Sequence, residues 1–121
     1  MAHIFIIDDS PTDVRVFTTL LEKAGHRVSS AVNAEEGING VKRELPDLVI
    51  MDVIMPGMNG FQATRDLSRD TQTGHIPILI VTTKSMETDR VWGMRQGAKD
   101  FLTKPVDAKA LLQRIDTLLP G

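Results

Sequence analysis

The 121-residue chain contains no cysteine, which excludes a disulfide framework, a thiolate metal site and a cysteine nucleophile. It has no apolar run near the roughly 20 residues that a membrane span needs. Nor does it carry a block of like charge: 14 basic and 16 acidic residues leave a net charge of −2. That balance offers neither a nucleic-acid surface nor a patch for anionic membranes. The N-terminus lacks the basic region and cleavage pattern of a signal peptide. Repeats, low-complexity segments and linkers are missing as well. The expectation is one cytoplasmic, monomeric domain over residues 1–121 with one core. No room remains for an appended output domain, and neither nucleic acid nor membrane is expected as a partner.

What is present gathers around residues 48–60. Leu48-Val49-Ile50-Met51 is a short apolar run that leads into Asp52, and Pro56, Gly57 and Gly60 then break the pattern. Such a run bounded by turn signals reads as a buried strand. Asp52 then stands where that strand surfaces. A carboxylate there is costly unless a cation, hydrogen bonds or a raised pKa compensates its desolvation. It is either a nucleophile or metal ligand, or merely the start of a turn, since Asp is common where strands end.

The rest of the chain alternates in the same manner. His3–Ile7 is a near-continuous apolar run, as in a strand covered on both faces. Asp8-Asp9 follows, and Ser10-Pro11-Thr12-Asp13 opens a helix. Ser10 suits the N-cap, Pro11 the first helical position, and Asp13 the reciprocal position of a capping box. Val14, Phe17, Leu20, Leu21 and Ala24 give helical spacing up to Gly25. Residues 27–32 form a weaker strand suited to an edge. Asn33 can cap a helix over 34–44, in which Gly37 and Gly40 each lower the propensity by roughly 1 kcal/mol. Further helices are expected over 61–70, 86–96 and 107–119, with strands over 76–81 and 98–103. Leu111, Leu112, Ile115, Leu118 and Leu119 form the apolar stripe of the last helix. The order β-α, five times over, implies an α/β fold with parallel strands, right-handed crossovers and helices on both faces.

In an open α/β sheet, ligands bind at the C-terminal strand ends. The residues placed there are Asp8 and Asp9, Asp52, Thr82 and Lys104. Three carboxylates so close would repel one another. A hard cation such as Mg²⁺, which takes carboxylates, waters and phosphate oxygens, resolves that. Lys104 adds a second positive charge and Thr82 a donor. The set matches a phosphoryl group on Asp52, since an aspartate can accept phosphate covalently and phosphoryl transfer needs mainly positioning and charge neutralisation.

Asp8-Asp9, Asp52 with Met55-Pro56 and Gly60, Thr82, and Lys104-Pro105 resemble the receiver domain of two-component response regulators, the CheY-like superfamily. The resemblance covers essentially the whole chain. It implies a flavodoxin-like, doubly wound (βα)5 fold with the sheet order 2-1-3-4-5, for which CheY is itself a standard example. It implies Mg²⁺ held by Asp9, Asp52 and the backbone carbonyl of Ile54, with Asp8 acting mostly through water. Asp52 would take a phosphoryl group from a chemotaxis-type histidine kinase, with Lys104 and Thr82 each meeting a phosphoryl oxygen. Thr82 and Phe101 would form the switch, Phe101 standing where the family usually has a tyrosine or another aromatic. Lacking a hydroxyl, Phe101 is expected to lie inward even without phosphate. A cis Lys104-Pro105 bond is also implied. More narrowly, Asn59–Arg65 and Val91–Ala98 resemble the PilH-type regulators of type IV pilus twitching motility.

Other readings remain beside these. The domain could signal onward to a motility protein or act as a phosphate sink for a paired regulator. As an enzyme it would be a Mg²⁺-dependent phosphohydrolase, but the Asp-x-Asp pair such phosphatases carry is broken by Ile54. A flavodoxin-like cofactor module would need a Ser/Thr/Gly phosphate loop where Asp8-Asp9 stands, so no organic cofactor is implied. His3, His26 and His75 are scattered without metal-ligand spacing. Trp92 is either a packing residue or an anchor for a partner.

Overall fold

The structure, a computed structural model, describes residues 1–120. Five strands, β1 (His3–Ile7), β2 (Arg27–Ala31), β3 (Leu48–Met51), β4 (Ile78–Thr82) and β5 (Asp100–Thr103), alternate with five helices. These are α1 (Pro11–Lys23), α2 (Ala34–Glu44), α3 (Gly60–Arg69), α4 (Glu87–Gln96) and α5 (Ala108–Leu118). All strands pair in parallel, in the order β2-β1-β3-β4-β5. The fold is therefore the flavodoxin-like arrangement expected from the sequence.

Apart from His3 at the start of β1 and Thr82 at the end of β4, the three central strands are apolar, because both of their faces are covered. Alternation along each strand divides them between two cores. Phe5, Ile7, Val49, Met51, Ile78 and Ile80 pack with Ala34, Ile38 and Val41 of α2 and Ala63 and Leu67 of α3. Ile4, Ile6, Leu48, Ile50, Leu79 and Val81 pack with Phe17 and Leu21 of α1 and Leu111 and Ile115 of α5. β2 is the half-exposed edge strand, which explains its thin apolar content.

Boundaries moved where a local device decides them. β4 begins at Ile78 rather than Ile76: Pro77 has no N–H to add to the ladder, although its carbonyl accepts from Val49 at 3.0 Å. Its last residue is Thr82. β5 is shorter than expected, because the Ala98 N–H turns back to the Gly93 carbonyl at 3.2 Å and closes the end of α4. Met86 lies outside α4 as its N-cap. The side chains of Ser10, Asn33, Asn59 and Asp107 cap the other four helices.

The glycines of α2 have a packing reason that outweighs their propensity cost. A Cβ on Gly37 would lie 2.5 Å from Ile7 Cδ1, and one on Gly40 would lie 2.5 Å from Phe5 Cζ. Two bare positions let the helix lie directly on β1. α4 is bound differently. Gly93 is its one fully buried residue, while Trp92 is 49% exposed and Met86, Val91 and Met94 also face solvent. Of the two readings of Trp92, the structure leaves its indole half outside. A Cβ on Gly93 would meet Ile80 Cδ1 at 2.8 Å and Phe101 Cδ2 at 3.3 Å. Gly93→Ala is therefore expected to cost about 1 kcal/mol and to push the Phe101 ring outward. Urea melts and a fluorine label on Phe101 would report both effects.

Candidate functional site

Asp8, Asp52, Thr82 and Lys104 lie at, or just past, the C-terminal ends of their strands, and the sheet's hydrogen bonding still fixes their backbone. The Asp8 N–H donates to Ala31 O at 3.1 Å, the Asp52 N–H to Ile7 O at 2.9 Å, and the Lys104 N–H to Thr82 O at 2.7 Å. The sheet edge thus brings Asp8, Asp9, Asp52, Thr82 and Lys104 into one cluster. Asp8 is 1% exposed and Thr82 fully buried, whereas Thr83 points to solvent, as strand alternation requires. The peptide bond before Pro105 is cis.

Lys104 lies at the centre. Its Nζ donates to Asp8 Oδ2 at 2.8 Å, to Asp13 Oδ2 at 2.7 Å and to Asp52 Oδ2 at 3.1 Å, with the side chain only 10% exposed. Asp52 Oδ1 takes the N–H groups of Val53 at 2.7 Å and Ile54 at 3.4 Å. Asp8 Oδ1 takes the Ser10 N–H at 2.9 Å. Burial raises the Asp8 carboxyl above the ordinary carboxylate range, and the Asp52 charge adds to this against the opposing pull of Lys104 and Ser10. Burial by itself would lower the lysine. Its bonds to Asp13 and Asp8 and the charge of Asp52 outweigh that and hold the ammonium well above its usual value.

Asp13 joins this group, which the sequence did not suggest. Its expected role was to accept the Ser10 N–H in a capping box. That N–H goes to Asp8 instead, leaving the Asp13 carboxylate for Lys104. The other half of the cap forms: Ser10 Oγ accepts the Asp13 N–H at 3.2 Å. No local pattern marks Asp13, because its partner lies 91 residues away in the chain.

Four carboxylates face one ammonium, so the site has an unmet need for positive charge. Oxygens of Asp8, Asp9 and Asp52 lie within 4.8 Å of one another. Carboxylate oxygens are the donors that a hard divalent cation such as Mg²⁺ prefers, and Asp9 is exposed where a hydrated ion would enter. The residues therefore fit the ion. The histidines do not form a second centre: His3 Nε2 meets Ser29 Oγ at 2.8 Å, and His26 Nδ1 accepts the Ala2 N–H at 3.2 Å.

Around this cluster, Gly60 brings α3 against the strand end. Its N–H donates to Val53 O at 3.0 Å, and a Cβ here would collide with the Asp52 carbonyl oxygen. Ile54 is 55% exposed beside the acid. Lys84 is turned towards Asp89, with Nζ 3.5 Å from Oδ1. Phe101 is buried against the α2–α3 core.

A doubly wound sheet with an acid triplet, a threonine and a lysine at its C-terminal edge defines a receiver domain. Residues 4–116 match the response regulator receiver domain model, and the chain belongs to that family. It is 55% identical to the protein PilH of Pseudomonas aeruginosa over 121 residues, which are the whole of both chains. It is 38% identical over 117 residues to the response regulator PleD of Caulobacter vibrioides, of which it spans 26%. Among solved structures, the chemotaxis protein CheY4 of Vibrio cholerae superposes with a TM-score of 0.92 at 29% identity, covering 98% of this chain and 99% of that one. The BeF3-activated receiver domain of Klebsiella pneumoniae RstA gives a TM-score of 0.91 at 26% identity, again covering 98% and 99%.

Proposed function

We propose that the protein is a single-domain response regulator that accepts a phosphoryl group on Asp52 in the presence of Mg²⁺. The observation that carries this reading is the convergence of Asp8 and Asp52 on the Lys104 ammonium, with Asp9 close by and Thr82 buried at the neighbouring strand end. Asp9, Asp52 and the Ile54 carbonyl would hold Mg²⁺, with Asp8 mostly through water. When bound, the ion supplies neutralising charge for the carboxylates and the incoming phosphoryl oxygens. Asp52 is the acceptor, held by two backbone N–H groups. Lys104 donates to a phosphoryl oxygen, and Thr82 turns its hydroxyl towards another. The donor would be a chemotaxis-type histidine kinase, and a cytoplasmic location follows from that partner. No helix of the described residues is long and apolar enough to cross a membrane.

The likeness to PilH, with the sequence resemblance to PilH-type regulators, supports a place in type IV pilus twitching motility. There the domain would dock on a motility protein or drain phosphate from a paired regulator, acting as a switch with no substrate of its own. The test is incubation with acetyl phosphate and Mg²⁺ followed by intact-mass analysis. An adduct of about 80 Da, one phosphoryl group, is expected in the wild type. It should be lost in Asp52→Asn and without Mg²⁺. Turnover of phosphoesters with no adduct would instead favour a phosphohydrolase.

The lifetime of that adduct depends on water reaching it opposite Asp52. Ile54 offers no group to orient a water, and the Lys84 charge is partly satisfied by Asp89. Slow self-dephosphorylation is expected. Ile54→Asn should hydrolyse about tenfold faster, a barrier change of about 1.4 kcal/mol. Decay of radiolabelled protein at saturating Mg²⁺ measures it; equal rates would mean that the lack of a water-orienting group at Ile54 does not set the lifetime.

A further inference from the structure

We infer that Asp13 is a positioning residue for the phosphoryl site: it competes with the phosphoryl group for the Lys104 ammonium. The inference rests on the receiver reading above. A lysine has three N–H donors, and here all three are taken, by Asp8, Asp13 and Asp52. To donate to a phosphoryl oxygen, Lys104 must release one of them. Asp8 and Asp52 share their carboxylates with the metal cluster, so a bound cation takes up part of their charge. Asp13 lies outside that cluster. It keeps its full charge, at the shortest of the three distances, on the first turn of α1.

Two consequences have the same sign. The Asp13 carboxylate draws the ammonium towards α1 and away from Asp52. Its negative charge also repels the anion that would bind there, at a site shielded enough for charge to act over several ångströms. Asp13 should therefore weaken phosphoryl binding and favour the unmodified state. At 36% side-chain exposure it can swing into water when Lys104 leaves it, so the competition is reversible.

The substitution that isolates this effect is Asp13→Asn. It removes the charge while the backbone N–H that Ser10 accepts stays in place. Beryllofluoride, an anion of phosphoryl shape, would be titrated into the full chain at saturating Mg²⁺. Asp13→Asn is expected to bind it about tenfold more tightly, a difference of about 1.4 kcal/mol, with Asp13→Glu near the wild type. Asp13→Ser, smaller and also uncharged, should move in the same direction. A purely structural role would weaken binding or leave it unchanged. In the metal-free protein, the Lys104 ammonium signal in ¹H–¹⁵N spectra should lose its protection from exchange in Asp13→Asn and keep it in Asp13→Glu. Equal or weaker beryllofluoride binding by Asp13→Asn, with a normal wild type, overturns the inference alone. A wild type that fails to bind beryllofluoride overturns the receiver reading and the inference with it.

Discussion

Gly60→Ala is expected to destabilise the protein by about 3 kcal/mol, at the upper end of the overpacking range. The added Cβ would fall on the Asp52 carbonyl oxygen, 2.7 Å from its carbon and 2.8 Å from Val53 Cα. All three obstacles are backbone, so no side chain can rotate away. The strand end or the first turn of α3 must move, and either motion displaces the carboxylate. Mg²⁺ affinity should therefore fall together with stability. Gly57 provides the contrast. It has φ +77° with nothing near its missing Cβ, so Gly57→Ala should cost only the left-handed backbone penalty of about 1–2 kcal/mol. Urea melts of the two variants, with and without Mg²⁺, separate collision from conformation. Equal losses would contradict the account of Gly60.

Lys104→Met is the second large effect. It removes the only ammonium bonded to Asp8 and Asp52 among the described residues and leaves their carboxylates buried and facing each other. Breaking a buried ion pair from one side typically costs 3–5 kcal/mol. A loss of about 3 kcal/mol is expected at pH 7 without metal. Mg²⁺ should restore more stability to this variant than to the wild type, since the ion competes with the ammonium for the same oxygens. The pH dependence follows from Asp8, whose carboxyl burial already raises. Without Lys104 its folded-state pKa stands higher still, so the folded state binds more protons than the unfolded one. The stability deficit should shrink as pH falls from 7 towards the ordinary carboxylate range, and grow again on return to pH 7. A deficit that is flat with pH would mean that the lysine acts through packing alone.

Much of this was legible in the chain because the local signals agree with one another. The apolar runs of β1, β3 and β4, each leading into a polar residue and then a helix, determine both the parallel sheet and the edge where function sits. The acids at 8, 9 and 52 and the lysine at 104 could be placed together from topology alone. What stayed hidden depends on contacts between distant segments. Asp13 reads locally as a capping residue, and only the approach of α1 to the end of β5 gives it Lys104. Gly37 and Gly40 read as weak points of a helix until Ile7 and Phe5 are seen beneath them. α4 shows a helical length but no inward apolar stripe, because it rests on Gly93 and leaves Trp92 and Met86 outside. Its contribution to the core could not be read from periodicity.

The central claim is that Asp52, among all the acids at this edge, receives the phosphoryl group. An acyl phosphate is reduced by borohydride to the alcohol, so the modified aspartate becomes homoserine while free carboxylates survive. The protein would be treated with acetyl phosphate and Mg²⁺, reduced with borohydride, digested and sequenced by fragmentation mass spectrometry. Homoserine at residue 52, with Asp8, Asp9 and Asp13 unchanged, is the predicted result. Homoserine at any of those three positions, or at none, would contradict it.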